Sequence, residues 1–442
     1  MRDYLQEYTE RTPTSQKLYE QAKQYMPGGV SHSYRYFPPY PLFINRVEGS
    51  RIWDVDGNEY IDLWMGHGAL ILGHRPDIVN QALQEVVNAG THWGILHEPQ
   101  VELARLVCEM VPCAEKMRFC VSGTEATMYA VRLARGFTGR RIILKMDAGW
   151  HGGNTDLAVA IKAPFDQPES AGLPPEMLQF THTVPFNDVE ATLAAMHACR
   201  DDLAGVILEP VMGAGGMIPA EPAFLKALRE ETARLGAMLI FDEVITGFRL
   251  APGGAQEYFG VVPDLVTLGK ITGGGSNIGV IAGRSDVMAM TDPTIQRKKG
   301  EGVLTGGGTF SATPMSMIPG LTVLRHLRNH ASEVYPYINT LGDRLRRGME
   351  EAFERGGLLG KTVGTGSLVG AYLPLDPSVT VRTPAEMYNR TDLKRLETEF
   401  RIRMLNHGLY ASHGGGTLST AHTEADIQGI LGAVEDVARE MR

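Results

Sequence analysis

The feature that most constrains this chain is its middle section, residues 74–317, where short apolar runs alternate with stretches of helical periodicity. MRFCV, RIILK, GVILEP, AMLIF and DLVTLG are bounded by turn residues and too short to be helices. Between them, EATMYAVRLARGF and FLKALREETARLG repeat their apolar residues at helical spacing. Strands separated by helices close as right-handed βαβ units, so the section predicts an α/β fold with a mostly parallel central sheet covered on both faces. Ligands of such sheets sit beyond the carboxyl ends of the strands.

The flanks read differently. Residues 1–73 start with a polar, helix-like segment, cross SHSYRYFPPYPLF, and continue as short strands with a DG turn, an arm plus a small sheet. Residues 318–442 carry helices and a few strands (GSLVGAYL, GGTLSTAH), which predicts a second, smaller α/β domain. A length of 442 residues accommodates two or three such units.

A net charge of −9 leaves no global basic field, which argues against nucleic-acid or anionic-membrane partners. No signal-like start and no apolar run long enough to span a bilayer is present, and a cytoplasmic protein is expected. Cys108, Cys113, Cys120 and Cys199 lack CxxC spacing and read as buried free thiols rather than metal or redox ligands.

Three charged residues stand directly after, or at the end of, predicted buried strands: Glu209, Asp242 and Lys270. Any one of them could simply emerge into water. Together they place two carboxylates and an amine along one sheet edge. Lys270 precedes ITGGGSNIG, whose glycines leave room for a flat ligand, and a partly desolvated lysine there is a nucleophilic amine suited to a Schiff base. Asp242 lies one crossover earlier and can pair with a protonated pyridine nitrogen. Ser122, Gly123 and Thr124 open a predicted helix, where backbone N–H groups and hydroxyls can hold a phosphate or merely cap the helix. Trp150, with His151 beside it, falls at the same edge and can stack on a ring or fill the core. Arg35, Arg249 and Arg284 are candidate carboxylate clamps, set against the ordinary solvated role of a surface arginine.

The runs FDEVITGFR and GGAQEYFGVVPDLVTLGKITGGG, with VSGTEATMYAVRLAR and WHGG upstream, resemble the class-III aminotransferases, and within them the glutamate-1-semialdehyde aminomutase branch. The resemblance extends from MPGGVSHSYRYF to LSTAHTEADI. It implies the fold type I, aspartate-aminotransferase-like architecture and pyridoxal 5'-phosphate as cofactor. By position, it implies that Lys270 carries the cofactor covalently and Asp242 meets the pyridine nitrogen. Val244 and Trp150 would flank the ring, with Ser122, Gly123 and Thr124 on the phosphate. Thr309 in GGGTFSATP would reach the phosphate of a neighbouring subunit, which implies a homodimer with shared sites. Arg35 matches an arginine that holds a substrate carboxylate.

Three departures surround the substrate end: Trp150 replaces a tyrosine, Ser311-Ala312-Thr313-Pro314 replaces a Gly-Asn-Pro ending, and Gly414 stands where aminomutases commonly carry an acidic residue. The expectation is therefore transamination between a carboxylate-bearing amino acid and an oxo acid, with a bulky or aromatic side chain and an α or β amino group all left open. Intramolecular transfer as in glutamate-1-semialdehyde 2,1-aminomutase is the alternative, and a non-catalytic cofactor-binding protein a further one. GHGALILGH is similar to enzymes acting on bulky amino acids. The rings around Arg35 (Tyr34, Tyr36, Phe37, Tyr40, Phe43) are equally compatible with an aromatic pocket and with packing of the N-terminal arm.

Overall fold

The computed structural model describes residues 3–167, 169–412 and 414–442. The chain forms two compact units: Met1–Pro76 with Tyr337–Thr380 and Met387–Arg442, and Asp77–Pro336 with Val381–Glu386.

The larger unit is built on a seven-stranded sheet. In spatial order its strands are Lys116–Cys120, Gly279–Gly283, Leu265–Gly269, Met238–Asp242, Leu203–Leu208, Ile142–Met146 and Thr181–Val184. The last five run parallel to one another, and Gly279–Gly283 is antiparallel to both its neighbours. Strands 203–208, 238–242 and 265–269 are buried at every residue. That is why they read as continuous apolar runs rather than alternating ones. Two strands escaped the sequence reading, for different reasons. Gly279–Gly283 begins and ends in glycine because added Cβ atoms would meet Ser122 O at 2.1 Å and Asp264 O at 2.4 Å. Thr181–Val184 is a short edge strand with half-exposed polar residues.

Helix Gly123–Thr138 lies across this sheet. It buries Ala126, Ala130, Leu133 and Ala134, is capped by the Ser122 side chain, and stops at Gly139 in the left-handed conformation (φ 68°). Helix Pro314–Asn329 packs on the helices Asp77–Ala89 and Glu98–Met110 and belongs to the larger unit. The chain leaves that unit at Pro336, inside helix Ala331–Gly356, some twenty residues beyond the expected boundary at 317.

The smaller unit takes its segments from both ends of the chain. Strands Ile44–Glu48, Arg51–Asp54 and Glu59–Asp62 form an antiparallel meander joined in parallel by Leu409–Tyr410. The DG turn lies at Asp56-Gly57, with Gly57 at φ 87°. A second sheet of Lys361–Val363, Leu368–Tyr372 and Gly416–Thr417 shares a core with helix Glu424–Glu440. No helix among the described residues is long and apolar enough to cross a membrane.

Candidate active site

At the carboxyl ends of the parallel strands a cleft of about 520 Å³ is lined by Lys270, Asp242, Glu209, Trp150, His151 and Thr124, with Gly123, Gly152, Val244 and Ile245. Asp242 and Lys270 come from adjacent strands, with Asp242 in register with Thr267. The expected single edge is thus one continuous wall.

Asp242 is held from three sides. Thr267 Oγ1 donates to Oδ1 at 2.9 Å, the Val244 N–H to the same oxygen at 3.2 Å, and His151 Nδ1 lies 2.7 Å from Oδ2. A carboxylate only accepts, so Nδ1 of His151 carries the proton. Burial lowers the His151 pKa; Asp242 acts against this and the charge of Lys145 adds to it. The ring is therefore neutral, and its Nε2 is buried without a partner. Thr267 is a site residue that the sequence reading missed; its signal was a lone hydroxyl within the apolar run LVTLG, opposite Asp242.

Glu209 is almost fully buried and accepts from the Trp150 N–H at 2.8 Å and the Gly213 N–H at 3.0 Å. Burial, reinforced by the charge of Asp242, pushes its pKa up to about 7, against the pull of the two N–H groups and Lys270. Lys270 opens a short 3₁₀ turn with φ 47°, a left-handed backbone that turns the chain sharply at the strand end. Desolvation lowers its pKa, while Asp242 and Glu209 pull the other way. The amine is thus close enough to two carboxylates to feel both, yet displaced toward its neutral, nucleophilic form.

Glycines shape the rest. A Cβ on Gly123 would lie 2.9 Å from Val244 Cγ2, one on Gly152 only 2.2 Å from Thr124 Oγ1, and one on Gly269 3.3 Å from Val244 Cγ1. Val244 therefore sits between the helix start and the lysine-bearing strand end, with the Trp150 segment against Thr124. Ser122 is used as the sequence left open: its Oγ accepts from the Glu125 N–H at 3.3 Å as a helix cap, and it does not line the cleft. Gly123 and Thr124 do line it.

The four other expected residues, Thr309, Arg249, Arg35 and Arg284, have the following surroundings. Thr309 is exposed, on a loop whose Gly306 and Gly307 N–H groups donate to Tyr129 Oη at 3.1 and 3.0 Å. Arg249 is completely buried in the turn after strand 238–242, with a pKa lowered to about 10 by that burial, and it is not part of the cleft wall. Its place is interior, near enough to Lys270 for its charge to act on that amine. Arg35 belongs to the smaller unit. It is exposed, donates to Ser31 Oγ at 2.7 Å, and lines an open cavity of that unit with Trp64, His67, Tyr410 and Phe43. Arg284, also considered as a clamp, is tied to Asp264 and Asp286.

Residues 33–421 match the aminotransferase class-III family. The chain belongs to that family. Among curated class-III relatives, glutamate-1-semialdehyde 2,1-aminomutase 2 of Exiguobacterium sp. is 40% identical over 437 residues, 97% of this chain and 97% of the relative. An ω-transaminase from Sphaerobacter thermophilus superposes with a TM-score of 0.88 at 34% identity, covering 98% of this chain and 99% of that one. A β-phenylalanine aminotransferase from Variovorax paradoxus does so with a TM-score of 0.87 at 34% identity, covering 98% and 96%. The expected fold type I architecture and pyridoxal-phosphate dependence hold for this class-III enzyme. Its cleft fits the cofactor: an amine at a strand end, a fixed carboxylate, a helix N-terminus and a floor of glycines that added Cβ atoms would fill.

Proposed function

We propose that the cleft around Lys270 performs amino-group transfer, with Lys270 as the residue that binds pyridoxal phosphate covalently and, once released, carries the proton. The observation behind this reading is the adjacency of a desolvated Lys270 to Asp242, a carboxylate fixed by Thr267, Val244 and His151. When bound, the cofactor supplies an electron sink for the substrate carbon. Asp242 would keep its pyridine nitrogen protonated, and neutral His151 would hold Asp242 in place. Val244 and Trp150 would bracket the ring, the N–H groups at Gly123 and Thr124 would take the phosphate, and Glu209 would fix the Trp150 backbone.

Two forms of the reaction are open to this site. The names of the curated relatives at about 40% identity favour the intramolecular form, glutamate-1-semialdehyde aminomutation, over the two-substrate transamination first expected. Gly414 favours transamination: it holds φ 70°, and a Cβ there would lie 2.9 Å from Ala371 O and 3.0 Å from Leu396 Cδ1. An acidic side chain of the kind associated with aminomutases has no room on this backbone. Purified protein incubated with glutamate-1-semialdehyde alone decides between them. Turnover without a second substrate establishes the mutase; turnover only with an amino donor and an oxo acid establishes the transaminase. Absence of any cofactor colour change with either would remove amino transfer altogether.

Arg35 is the proposed carboxylate contact, and its aromatic surroundings together with the β-phenylalanine aminotransferase likeness point to a bulky side chain in the two-substrate form. A homodimer is also proposed. Trp93, Ile95, Leu96, Val101, Leu304 and Phe310 of the larger unit are exposed beyond what an isolated surface favours, and Thr309 stands beside Phe310 in the same loop. Sedimentation at working concentration should give twice the mass of the chain, and Thr309→Ala should weaken cofactor retention; an active monomer would contradict both.

A further inference from the structure

Lys145 occupies a place where lysine is costly. It is the fourth residue of strand Ile142–Met146, in register with Thr183 and Ile207 of the flanking strands, and has no solvent exposure. Among the described residues its ammonium has no ion-pair partner, and Glu209, Asp147 and Glu169 act on it only through their charge. Its partners are two backbone carbonyls: Nζ donates to Gly149 O at 2.9 Å and to Val159 O at 2.5 Å. Burial lowers its pKa to about 8, opposed by the charges of Glu209, Asp147 and Glu169, so the ammonium form holds at neutral pH. A buried charge without an ion-pair partner is retained at a cost, and that cost asks for a function.

The peptide it grips supplies one. The Gly149 carbonyl and the Trp150 N–H belong to a single planar peptide unit. Lys145 binds the carbonyl end, and Glu209 accepts from the N–H end at 2.8 Å. Lys145 and Glu209 thus face each other through one peptide and fix its orientation from both sides. The residues around it are equally constrained. Ala148 adopts φ 60° and donates to Ala160 O at 2.8 Å, Gly149 donates to Met146 O at 3.1 Å, and His151 O accepts from Thr127 Oγ1 at 2.6 Å. A Cβ on Gly149 would lie 2.9 Å from His151 Nε2, so this turn passes directly against the ring that holds Asp242.

We infer that Lys145 is a positioning residue of the active site: by clamping the Gly149 and Val159 carbonyls opposite Glu209, it sets the Trp150–His151 segment against the cleft. Its side chain does not line the cleft. It acts through the peptide that carries the stacking indole and through the turn that holds the imidazole.

The test compares Lys145→Met, which removes both donors, with Lys145→Gln, which keeps an N–H₂ group without charge. Lys145→Met should weaken pyridoxal-phosphate binding about 10–100-fold, the scale of two lost buried hydrogen bonds. It should also diminish the visible circular dichroism of the bound cofactor, which reports ring orientation. Lys145→Gln should restore both at least in part. A Lys145→Met protein with unchanged affinity and dichroism overturns the proposal, as does a Gln variant no better than Met. Should Lys145→Met not fold, hydrogen exchange in the unsubstituted, cofactor-free protein decides: residues 147–152 should stay protected there, and rapid exchange of that segment would show that the ammonium does not hold it.

Discussion

The cleft around Lys270 and the cavity around Arg35 are built on opposite plans. In the first, the two carboxyl groups have fixed partners: Asp242 has three, His151 among them, and Glu209 has two backbone donors. In the second, an exposed guanidinium holds a single serine hydroxyl beside Trp64, His67 and Tyr410. Chemistry that depends on where a proton sits needs groups that do not move. Recognition of a substrate carboxylate and side chain tolerates a mobile cation among aromatic faces. The contrast implies that substitutions in the cleft should change the rate for all substrates, and substitutions around Arg35 should change which substrate is preferred.

The strongest test of that division is Lys270→Ala. It should lower kcat at least about 10³-fold with every donor, within the range for losing a nucleophile and proton carrier together. Borohydride treatment of the unsubstituted protein should attach the cofactor to the peptide containing Lys270; attachment elsewhere would dissolve the cleft as read. Asp242→Asn comes next, with an expected loss of about 10²–10³-fold in kcat, the scale for one preorganised electrostatic group, and partial retention of the cofactor. A rate equal to the unsubstituted enzyme would remove Asp242 from its role.

Glu209 sharpens the comparison through pH. Its folded pKa of about 7 lies above the ordinary 4.5, so the folded protein keeps a proton that the unfolded chain releases between those values. Stability of the cofactor-free protein is therefore greatest below the unfolded pKa and falls as pH rises toward 7. Glu243, equally buried with its pKa pushed up to about 7, contributes in the same direction. Glu209→Gln should remove about half of that pH slope, on the order of 1–3 kcal/mol across the window. Denaturant melts at a series of pH values would show it, and an unaltered slope would mean that Glu209 is ionised throughout. Smallest of all, and most selective, Arg35→Ala should reduce kcat/KM about 10–100-fold for a carboxylate substrate and little for an amine lacking the carboxylate. Equal losses for both would make the Arg35 region structural and erase the contrast.

Much of the larger unit was legible in the chain because its signals are local. Buried parallel strands are continuous apolar runs, helices repeat at their own period, and a charged residue at a strand end needs no partner to be noticed. Asp242, Glu209 and Lys270 were found in that way and do line one cleft. Thr267 and Lys145 were not found, since a hydroxyl or an amine inside a strand shows no local reason for being there. Their reasons are a carboxylate one strand away and a peptide four residues ahead. Strand Gly279–Gly283 was hidden similarly, its glycines serving neighbours distant in sequence.

By itself, then, the sequence determined the α/β class, the family motifs and the three charged residues of the sheet edge, because each is written within a few neighbouring positions. Tertiary structure alone decided that Arg249 is interior, that Ser122 caps a helix, that Gly414 leaves no space for a carboxylate, and that the Trp150 peptide lies between Lys145 and Glu209. Those properties depend on which segments meet after folding, and burial and hydrogen-bond partners exist only once they have met.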